Sequence, residues 1–412
     1  MKAVVFTLGC KVNGYESASL AAGLKELGYD TDEKLCEADV YIINTCAVTA
    51  EAEKKSRQAI ARAKKYNANA KIIVTGCASE KSPDDFLKKE GVTLVTGAKS
   101  KEKILSLLSE TGKRITEEDE YAESYFPLSK GKTRSYIKVQ DGCDNFCSYC
   151  VIPYLRGRSR SRKAENVAAE IESVSPAEAV VTGINLSSYR DGENGLKELI
   201  DRLSGVNCRI RLGSLEAGVI DDGLLSSLKN LKDFADHFHL SLQSGSDAVL
   251  KSMNRHYTAE EFSEKCDLIR KYFPNAGITT DIIAGYPTES EEYFSETLAL
   301  AEKVKFSDIH CFPYSPREGT VGAELKILDP KIVEGRTARL LALKAELKRE
   351  FAESQVGKTL MFLPEERTGG ETVGYTGNYL RCFVKGDLPL GKIVPVKIEK
   401  HYKDGAAASV DI

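Results

Sequence analysis

Three cysteines, Cys143, Cys147 and Cys150, stand within eight residues in the run DGCDNFCSYCVIPYLRGRSRSR, spaced C-x3-C-x2-C. The segment before them, SYIKVQ, reads as a strand, so the three thiols stand on one short loop. No fourth cysteine or histidine follows at metal-ligand distance. Cysteine thiolates hold iron–sulfur clusters, and three of them can hold three irons of a 4Fe–4S cube. The fourth iron is then open, and an open metal position is where a substrate binds, whereas a structural site is closed. The alternatives are a zinc site or a redox pair. Closely spaced zinc cysteines come as two C-x2-C pairs, or as cysteine pairs with histidine pairs, and neither pattern occurs.

A second cysteine set emerges from a repeat. Up to about residue 112 the chain gives an apolar strand, a turn and a helix three times. The strands are AVVFTLGC, ADVYIINTC and KIIVTGC, ending in Cys10, Cys46 and Cys77. Helices are expected near Glu16–Leu27 and over Glu51–Tyr66. The cysteines lie 36 and 31 residues apart, and a βαβ unit takes about 30 residues or more. Parallel strands would align the three thiols along the carboxyl edge of one sheet, where open α/β sheets bind ligands. A lone cysteine after a strand is usually a small buried hydrophobe. Three at one topological position point to a second cluster, and Gly9, Thr45 and Gly76 before them are small enough for close approach.

Residues 113–131, with the acidic piece TEEDEYAESYF, read as a solvated linker. The next block, 132–354, alternates strands (SYIKVQ, AEAVVTG, RIRLGS, HFHLSLQS, ITTDIIAGYP, DIHCFPYSP) with helices at Ala164–Val174, Leu196–Leu203, Ala259–Tyr272 and Ser290–Val304. This alternation implies a parallel sheet, here a full or partial TIM-like barrel with its site at the carboxyl ends of the strands. Thr182, Gly183, Ser214, Glu216, Gln243, Ser244, Asp281, Tyr314 and Ser315 fall there. A long helix capped by Asp329, with Pro330 in its first turn, carries the apolar stripe Leu340, Leu341, Leu343, Leu347 and Phe351. Residues 355–412 read as short strands punctuated by glycine, a small antiparallel barrel. The fold class is thus α/β with an appended β-barrel.

Composition narrows the setting. At 412 residues the chain has room for two or three domains. No apolar run reaches about 18 residues, so no membrane span is expected. MKAVVFTLGC reads as a first strand rather than a signal peptide. A cytoplasmic location follows, where thiols stay reduced, so the eleven cysteines point to metal ligation plus buried thiols. Cys36, Cys208, Cys266, Cys311 and Cys382 have no paired spacing and read as buried or incidental. The net charge of −3 gives no global pull toward nucleic acid, so RNA binding must rest on local basic patches. One is the alternating Arg156, Arg158, Arg160 and Arg162. Arginine suits bidentate phosphate contact, and a polar strand face with salt bridges is the other reading; a split between the two is expected. A second is Lys385, Lys392, Lys397, Lys400 and Lys403 with Tyr375, Tyr379, Phe383 and Tyr402. His237 and His239, two apart on an expected strand, share a face and read as site-lining or core histidines.

An open iron at a barrel mouth invites a chelating ligand, and S-adenosylmethionine supplies one through its amino and carboxylate groups. Reductive cleavage of its sulfonium yields a carbon radical. Such chemistry belongs to the cofactor, while the protein binds and orients it. DGCDNFCSYC resembles the radical SAM signature, with Tyr149 before the last cysteine as in that superfamily. Together with the first cysteine trio and the small terminal barrel, essentially the whole chain resembles the methylthiotransferases: a cluster domain, a radical SAM domain and a TRAM domain. TLGCKVNGYES and NTCAVTAEAEKKSRQ are similar to the branch acting on threonylcarbamoyladenosine in tRNA. The isopentenyladenosine branch tends to carry Gln and Met after the first cysteine, and the ribosomal-protein branch Pro-Lys-Asn. HLSLQSGSDAVLKSMNRHYT, ITTDIIAGYPTES and CFPYSPREGT fit the first branch.

The resemblance implies two 4Fe–4S clusters and S-adenosylmethionine. Cys143, Cys147 and Cys150 would ligate the radical-generating cluster, and Cys10, Cys46 and Cys77 the auxiliary one. Thr182 and Gly183 would meet the methionine amino group. Tyr149, Ser214, Glu216, Gln243, Arg255 and Asp281 are the further cofactor or substrate contacts, and Arg158, Arg160, Lys385 and Lys397 the RNA contacts. The implied partner is tRNA bearing threonylcarbamoyladenosine at position 37, and the product its 2-methylthio derivative; a monomer is expected, though neither the residues nor the resemblance sets the oligomeric state. The alternatives are the other two branches or, in another class, a zinc-stabilised RNA-binding protein without catalysis. A dinucleotide enzyme is poorly supported, because no G-x-G-x-x-G or G-x4-G-K-[ST] run occurs.

Overall fold

The computed structural model of the chain describes residues 1–99, 101–116 and 133–410. Near-continuous apolar runs produce inner strands buried on both faces, the mark of parallel sheets, with short polar strands at the two edges. β1 (Lys2–Thr7), β2 (Asp30–Asp32), β3 (Val40–Thr45), β4 (Lys71–Gly76), β5 (Val92–Thr96) and β6 (Gly112–Arg114) form one parallel sheet in the order β2-β1-β3-β4-β5-β6. On one face Val4, Tyr41, Ile43 and Val74 pack with Ala59, Ile60 and Ala63 of α2 (Ala50–Tyr66). On the other, Val5, Ile42 and Ile73 pack with Leu20 and Leu24 of α1 (Lys11–Glu26). The short helices α3 (Cys77–Lys81) and α4 (Pro83–Leu87) follow β4. The three strand–helix repeats are present, and their strands β1, β3 and β4 are neighbours in the sheet.

Three details differ from expectation. α1 starts at Lys11, not near Glu16, because Cys10 itself takes the extended cap position. The third helix is one turn long, broken where Ser82 leaves the helical region ahead of Pro83. Lys113 and Arg114, assigned to the linker, belong to β6; the acidic stretch from Glu117 lies outside the described residues.

The middle of the chain runs β7 (Arg134–Lys138), β8 (Gln140–Asp141), α5 (Ile152–Arg156), β9 (Arg160–Ser161), α6 (Ala164–Val174), β10 (Glu178–Thr182), α7 (Leu196–Arg202), β11 (Arg209–Leu212), β12 (Ser214–Leu215), α8 (Asp222–Lys229), β13 (His237–Leu240), α9 (Asp247–Ser252), α10 (Ala259–Tyr272), β14 (Gly277–Ala284), α11 (Glu291–Val304), β15 (Asp308–Pro313) and α12 (Pro330–Ser354). The parallel sheets β11-β10-β7 and β12-β13-β14-β15 are joined through the bridge Ile210–Phe234, so the barrel is partial. Strand alternation turns Ile137, Val139, Ala179, Val181, Ile210, Phe238, Leu240 and Ile278 outward under the helices. It turns Arg134, Lys138, Glu178, Arg211, His237, His239 and Asp281 into the lumen. Asp329 caps α12, its carboxylate accepting from the Lys331 amide at 2.8 Å. Leu340, Leu343 and Leu347 are buried, but Leu341 is 48% exposed and lies off the stripe.

β16 (Thr359–Thr368), β17 (Glu371–Thr376), β18 (Arg381–Lys385), β19 (Val394–Tyr402) and β20 (Gly405–Val410) form a closed barrel, antiparallel except for the β18–β20 pair. It docks on the amino ends of the central strands. Arg211 donates to the carbonyls of Gly377 (3.0 Å) and Thr376 (3.2 Å), and Arg209 to that of Met361 (3.2 Å). Gly277 is required there, since a Cβ would stand 2.1 Å from the Asn378 carbonyl. Tyr379 stacks on His237 (4.5 Å between centroids) and Tyr375 on Tyr379 (4.7 Å). Phe383 is buried. The expected basic–aromatic face is therefore divided: Tyr375 and Tyr379 serve this junction, Tyr402 packs edge-on against Phe383 within the barrel, and Lys385 and Lys397 are left exposed. Arg211 also holds Glu178 at 2.8 and 2.9 Å. Removing one partner of a buried pair costs about 3–5 kcal/mol. Arg134 still reaches Glu178 at 2.6 Å, so Arg211→Met is expected to cost roughly 3 kcal/mol and to expose the 354–359 junction, read by urea unfolding and limited proteolysis.

Candidate active site between two cysteine trios

The Cys143–Cys150 loop leaves β8 and ends at α5. Gly142 (φ +69°) starts it, and a Cβ there would overlap the Arg158 carbonyl at 1.9 Å. The Cys143 amide donates to the Gly157 carbonyl (3.1 Å) and the Ser148 amide to the Met253 carbonyl (3.0 Å). Asn254 donates to the carbonyls of Asn145 and Phe146 at 3.0 and 3.2 Å. Together with the Gly322 amide on the Ser148 carbonyl (2.6 Å) and the internal Cys150–Cys147 bond (2.9 Å), these contacts hold the loop backbone. Arg255 donates to Cys147 Sγ (3.4 Å) and to the Glu216 carboxylate (3.0 Å), which also accepts from Asn145. Asn185 donates to Cys143 Sγ at 3.8 Å. Burial pushes the Cys150 thiol up to about 12, so it ionises only when a cation or metal takes up the charge.

The other trio stands at the sheet edge. A Cβ on Gly9 would lie 2.9 Å from Cys46 Sγ, and one on Gly76 2.4 Å from the Thr45 carbonyl; both glycines have positive φ. The three strand ends can converge only without those side chains. Burial lifts the Cys46 thiol to about 11, with Cys77 and Cys10 adding to the rise.

Arg156, the last residue of α5 and fully buried, joins the two trios. Its Nε donates to Cys77 Sγ (3.3 Å), and its guanidinium to Asn13 (2.7 Å), Glu16 (3.0 and 3.2 Å) and Asp141 (2.9 Å). Lys138 bridges Glu16 (2.8 Å) and Asp141 (2.6 Å). Lys101 reaches Glu16, and Asn44 at 2.9 Å. Burial opposes ionisation of Glu16, yet Arg156, Lys101 and Lys138 hold it well below the usual carboxylate range. Burial likewise opposes charge on Asp141, and Lys138 and Arg156 overcome it.

A second polar row lines the lumen. His237 Nε2 and His239 Nδ1 both meet Thr279 Oγ1 at 2.9 Å, and Asp281 meets His239 Nε2 (3.2 Å) and His310 Nδ1 (3.1 Å). One hydroxyl has one proton. With His239 Nε2–H donating to Asp281, Thr279 donates to His239 and accepts from His237 Nε2–H. His237 Nδ1 is then a bare lone pair, and it is the buried atom of the row that has no partner. Burial and Arg211 keep His237 neutral. Burial disfavours the Asp281 anion, but its two histidine bonds win and lower it.

Of the sequence-expected residues, Glu216 and Arg255 meet the radical-type loop directly. Tyr149 packs half-buried with Tyr286 and Tyr314. Thr182, buried at the end of β10, accepts through its carbonyl from the Val139 amide. Gly183 lies so close to Gln140 that a Cβ would be 2.8 Å from its amide oxygen. Gln243 (φ +71°) is locked into β14 through its amide to Asp281 (2.8 Å) and its carbonyl from Ile283 (2.9 Å). Ser214 is half-buried on β12. Asp281 belongs instead to the histidine row deeper in the lumen. Arg156 and Arg162 are buried, and Arg162 pairs with Glu170 at 2.5 Å. Arg158 is 68% exposed, and Arg160 borders a polar cleft of about 570 Å³ lined also by Ser159, Ser187 and Arg190. Sequence reasoning missed Asn13, Glu16, Lys101, Lys138 and Asp141, because nothing in their local spacing marks contacts spanning up to 143 residues.

Comparison with known proteins agrees with this layout. Residues 2–97 match Uncharacterized protein family UPF0004, 137–301 the Radical SAM superfamily, and 353–410 the TRAM domain. The chain is 39% identical to the threonylcarbamoyladenosine tRNA methylthiotransferase of Bacillus subtilis, over 97% of this chain and 94% of the relative. It is 37% identical to that of Aquifex aeolicus, over 97% and 100%. It is also 33% identical to the tRNA-2-methylthio-N6-dimethylallyladenosine synthase of Staphylococcus haemolyticus, over 96% and 82%. Among solved structures, the radical S-adenosylmethionine methyltransferase TsrM of Kitasatospora setae has the same fold over 78% of this chain and 77% of its own (TM-score 0.54, 13% identity).

The charge network makes a stability prediction. Glu16→Gln strands Arg156, Lys101 and Lys138 around one remaining carboxylate, at an expected cost of about 3–5 kcal/mol at neutral pH. Because the folded-state pKa values of Glu16 and Asp141 are depressed, their stabilisation is present above about pH 4 and lost as pH falls below it. Urea unfolding between pH 7 and 3 should show a steeper acid loss for the native sequence than for Glu16→Gln.

Proposed function

The chain belongs to the radical SAM threonylcarbamoyladenosine tRNA methylthiotransferase family, and we propose that it converts N6-threonylcarbamoyladenosine at position 37 of tRNA to the 2-methylthio derivative. The observation that carries this reading is the pair of cysteine trios linked through Arg156. S-Adenosylmethionine and a 4Fe–4S cluster are the cofactors of the superfamily. Cys143, Cys147 and Cys150 are assigned to that cluster, and Cys10, Cys46 and Cys77 to a second one. The donor sets suit both: each trio has an arginine N–H aimed at one sulfur, Arg255 at Cys147 and Arg156 at Cys77, a charge-assisted bond that favours thiolate. Bound together, these groups supply a carbon radical for hydrogen abstraction and a sulfur that can carry a methyl group. Single zinc ions fit less well, since zinc draws its ligands to about 2.3 Å. Among the described residues one set of three candidate ligands, His239, Asp281 and His310, has its ligand atoms within 4.8 Å of one another, and it contains no cysteine.

The chain's own groups orient and enclose. Thr182 and Gly183 are assigned to the methionine amino group, with Gln140 packed against Gly183 to hold that backbone in place. Glu216 and Arg255 brace each other at 3.0 Å beside Cys147 and are assigned, with Tyr149, Ser214 and Gln243, to the rest of the cofactor. Arg158, Arg160, Lys385 and Lys397 are assigned to RNA phosphates. The 353–410 barrel, matching the TRAM domain, belongs to the RNA side of the work. No helix among the described residues is long and apolar enough to cross a membrane.

Two measurements test this. After anaerobic reconstitution, iron and sulfide should correspond to two clusters, falling to one in a Cys10→Ala, Cys46→Ala, Cys77→Ala triple variant. Nucleoside mass spectrometry should recover the 2-methylthio product from RNA bearing threonylcarbamoyladenosine, and a methylthiolated dimethylallyladenosine in its place would overturn the substrate assignment. For the RNA contacts, Arg158→Ala should weaken tRNA binding uniformly across tRNAs and reduce the magnitude of the log–log salt slope by about 1; an unchanged slope retires that residue.

A further inference from the structure

Lys11 is the first residue of α1 and directly follows Cys10. It is half-buried. Among the described residues its ammonium has no hydrogen bond or ion pair. The neighbouring charges explain why this is unusual. Arg211, Arg134 and Asp281 lie within electrostatic reach of it. Each of these has its own partners. Arg211 is held by Glu178 and two backbone carbonyls. Arg134 is held by Glu178 and Glu365, and both oxygens of Asp281 by histidines. A shielded cation among cations needs an anion, because an unpaired buried charge is costly.

We propose that Lys11 is a specificity residue that binds the carboxylate of the threonyl group on the substrate base. This rests on the function proposed above and extends it to one side chain. Of the two modified adenosines among the alternatives, the threonylcarbamoyl one ends in a carboxylate, whereas a dimethylallyl group carries no charge. Lys11 adjoins the sulfur ligand Cys10, so an anion bound by it places the attached base beside the first trio. His310 has a 50% exposed ring whose Nδ1 is taken by Asp281, which leaves Nε2 as its free nitrogen for the hydroxyl or urea of the same substituent.

The test compares affinities of anaerobically reconstituted full-length protein for two anticodon stem–loops, one with threonylcarbamoyladenosine and one with plain adenosine at position 37. The native protein should prefer the modified loop by about tenfold or more, the yield of a charge-assisted pair. Lys11→Met should bring the ratio close to 1, and Lys11→Arg should keep most of it. Iron content and affinity for the plain loop report that the fold and clusters are intact. A preference that survives in Lys11→Met overturns the inference, as does loss of iron with the preference retained, which would make the ammonium a counter-charge for the sulfur centre. If the native protein shows neither preference nor methylthio product on the modified RNA, the proposed function itself fails; product formation with an undiminished preference in Lys11→Met defeats this inference alone.

Discussion

The structure depends on one buried guanidinium. Arg156 donates across the junction between the first sheet and the barrel, to Asn13 and Glu16 on one side and Asp141 on the other, and to the sulfur of Cys77. Taking charges out of water costs several kcal/mol per ion and is tolerated only when geometry satisfies every donor and acceptor. Here three cations, Arg156, Lys101 and Lys138, surround two carboxylates. The cluster is therefore biased positive at its centre, where Cys77 approaches. An apolar contact could hold the two halves together as well, but it would not offer a thiolate any compensation.

The same residue explains how the halves are set relative to each other. α5 follows Cys150 at once, and Val151 and Leu155 beside it pack into the core of the first sheet. The loop that turns three cysteines inward thus continues into the element that reaches the other three. At the opposite end, Tyr379 and the carbonyls of Thr376 and Gly377 cover the amino ends of β7, β10 and β11. With that end covered, the lumen faces the cysteines. The appended barrel has a structural part in shaping the site, beyond any contact it makes with RNA.

Much of the layout was legible in the sequence for a simple reason: strand alternation, helix caps and strand-end cysteines are local patterns. Ala164–Val174 and Ala259–Tyr272 match their expected limits, the latter because Thr258 and Glu261 form a reciprocal cap. What failed was inference about partners. The alternate arginines after Cys150 were expected to split, and Arg156 and Arg162 are buried while Arg158 is exposed; what spacing did not give is that Arg156 ends a helix and Arg160 lies on a two-residue strand, so that Arg156 reaches Cys77. Tyr375 and Tyr379 looked like a surface for bases until docking gave them His237 and Arg211 as neighbours. Spacing tells which side of its own element a residue occupies; it says nothing of what the rest of the chain brings there.

The contrast between two lysines shows how the remaining polarity of the lumen can be understood. Lys101 and Lys11 both carry an ammonium group that the first sheet's side of the site shields from water, Lys101 buried and Lys11 half-buried. Lys101 is compensated by Glu16 and two asparagine oxygens. Lys11 has arginines nearby and no acceptor of its own among the described residues. A fold stable without a bound molecule would gain by pairing Lys11 as it pairs Lys101, or by replacing it with an apolar residue, since isolated buried charge is a net cost. An unpaired cation facing a lumen that is closed at one end and bordered by sulfur ligands at the other is consistent with a missing charge that arrives with the substrate.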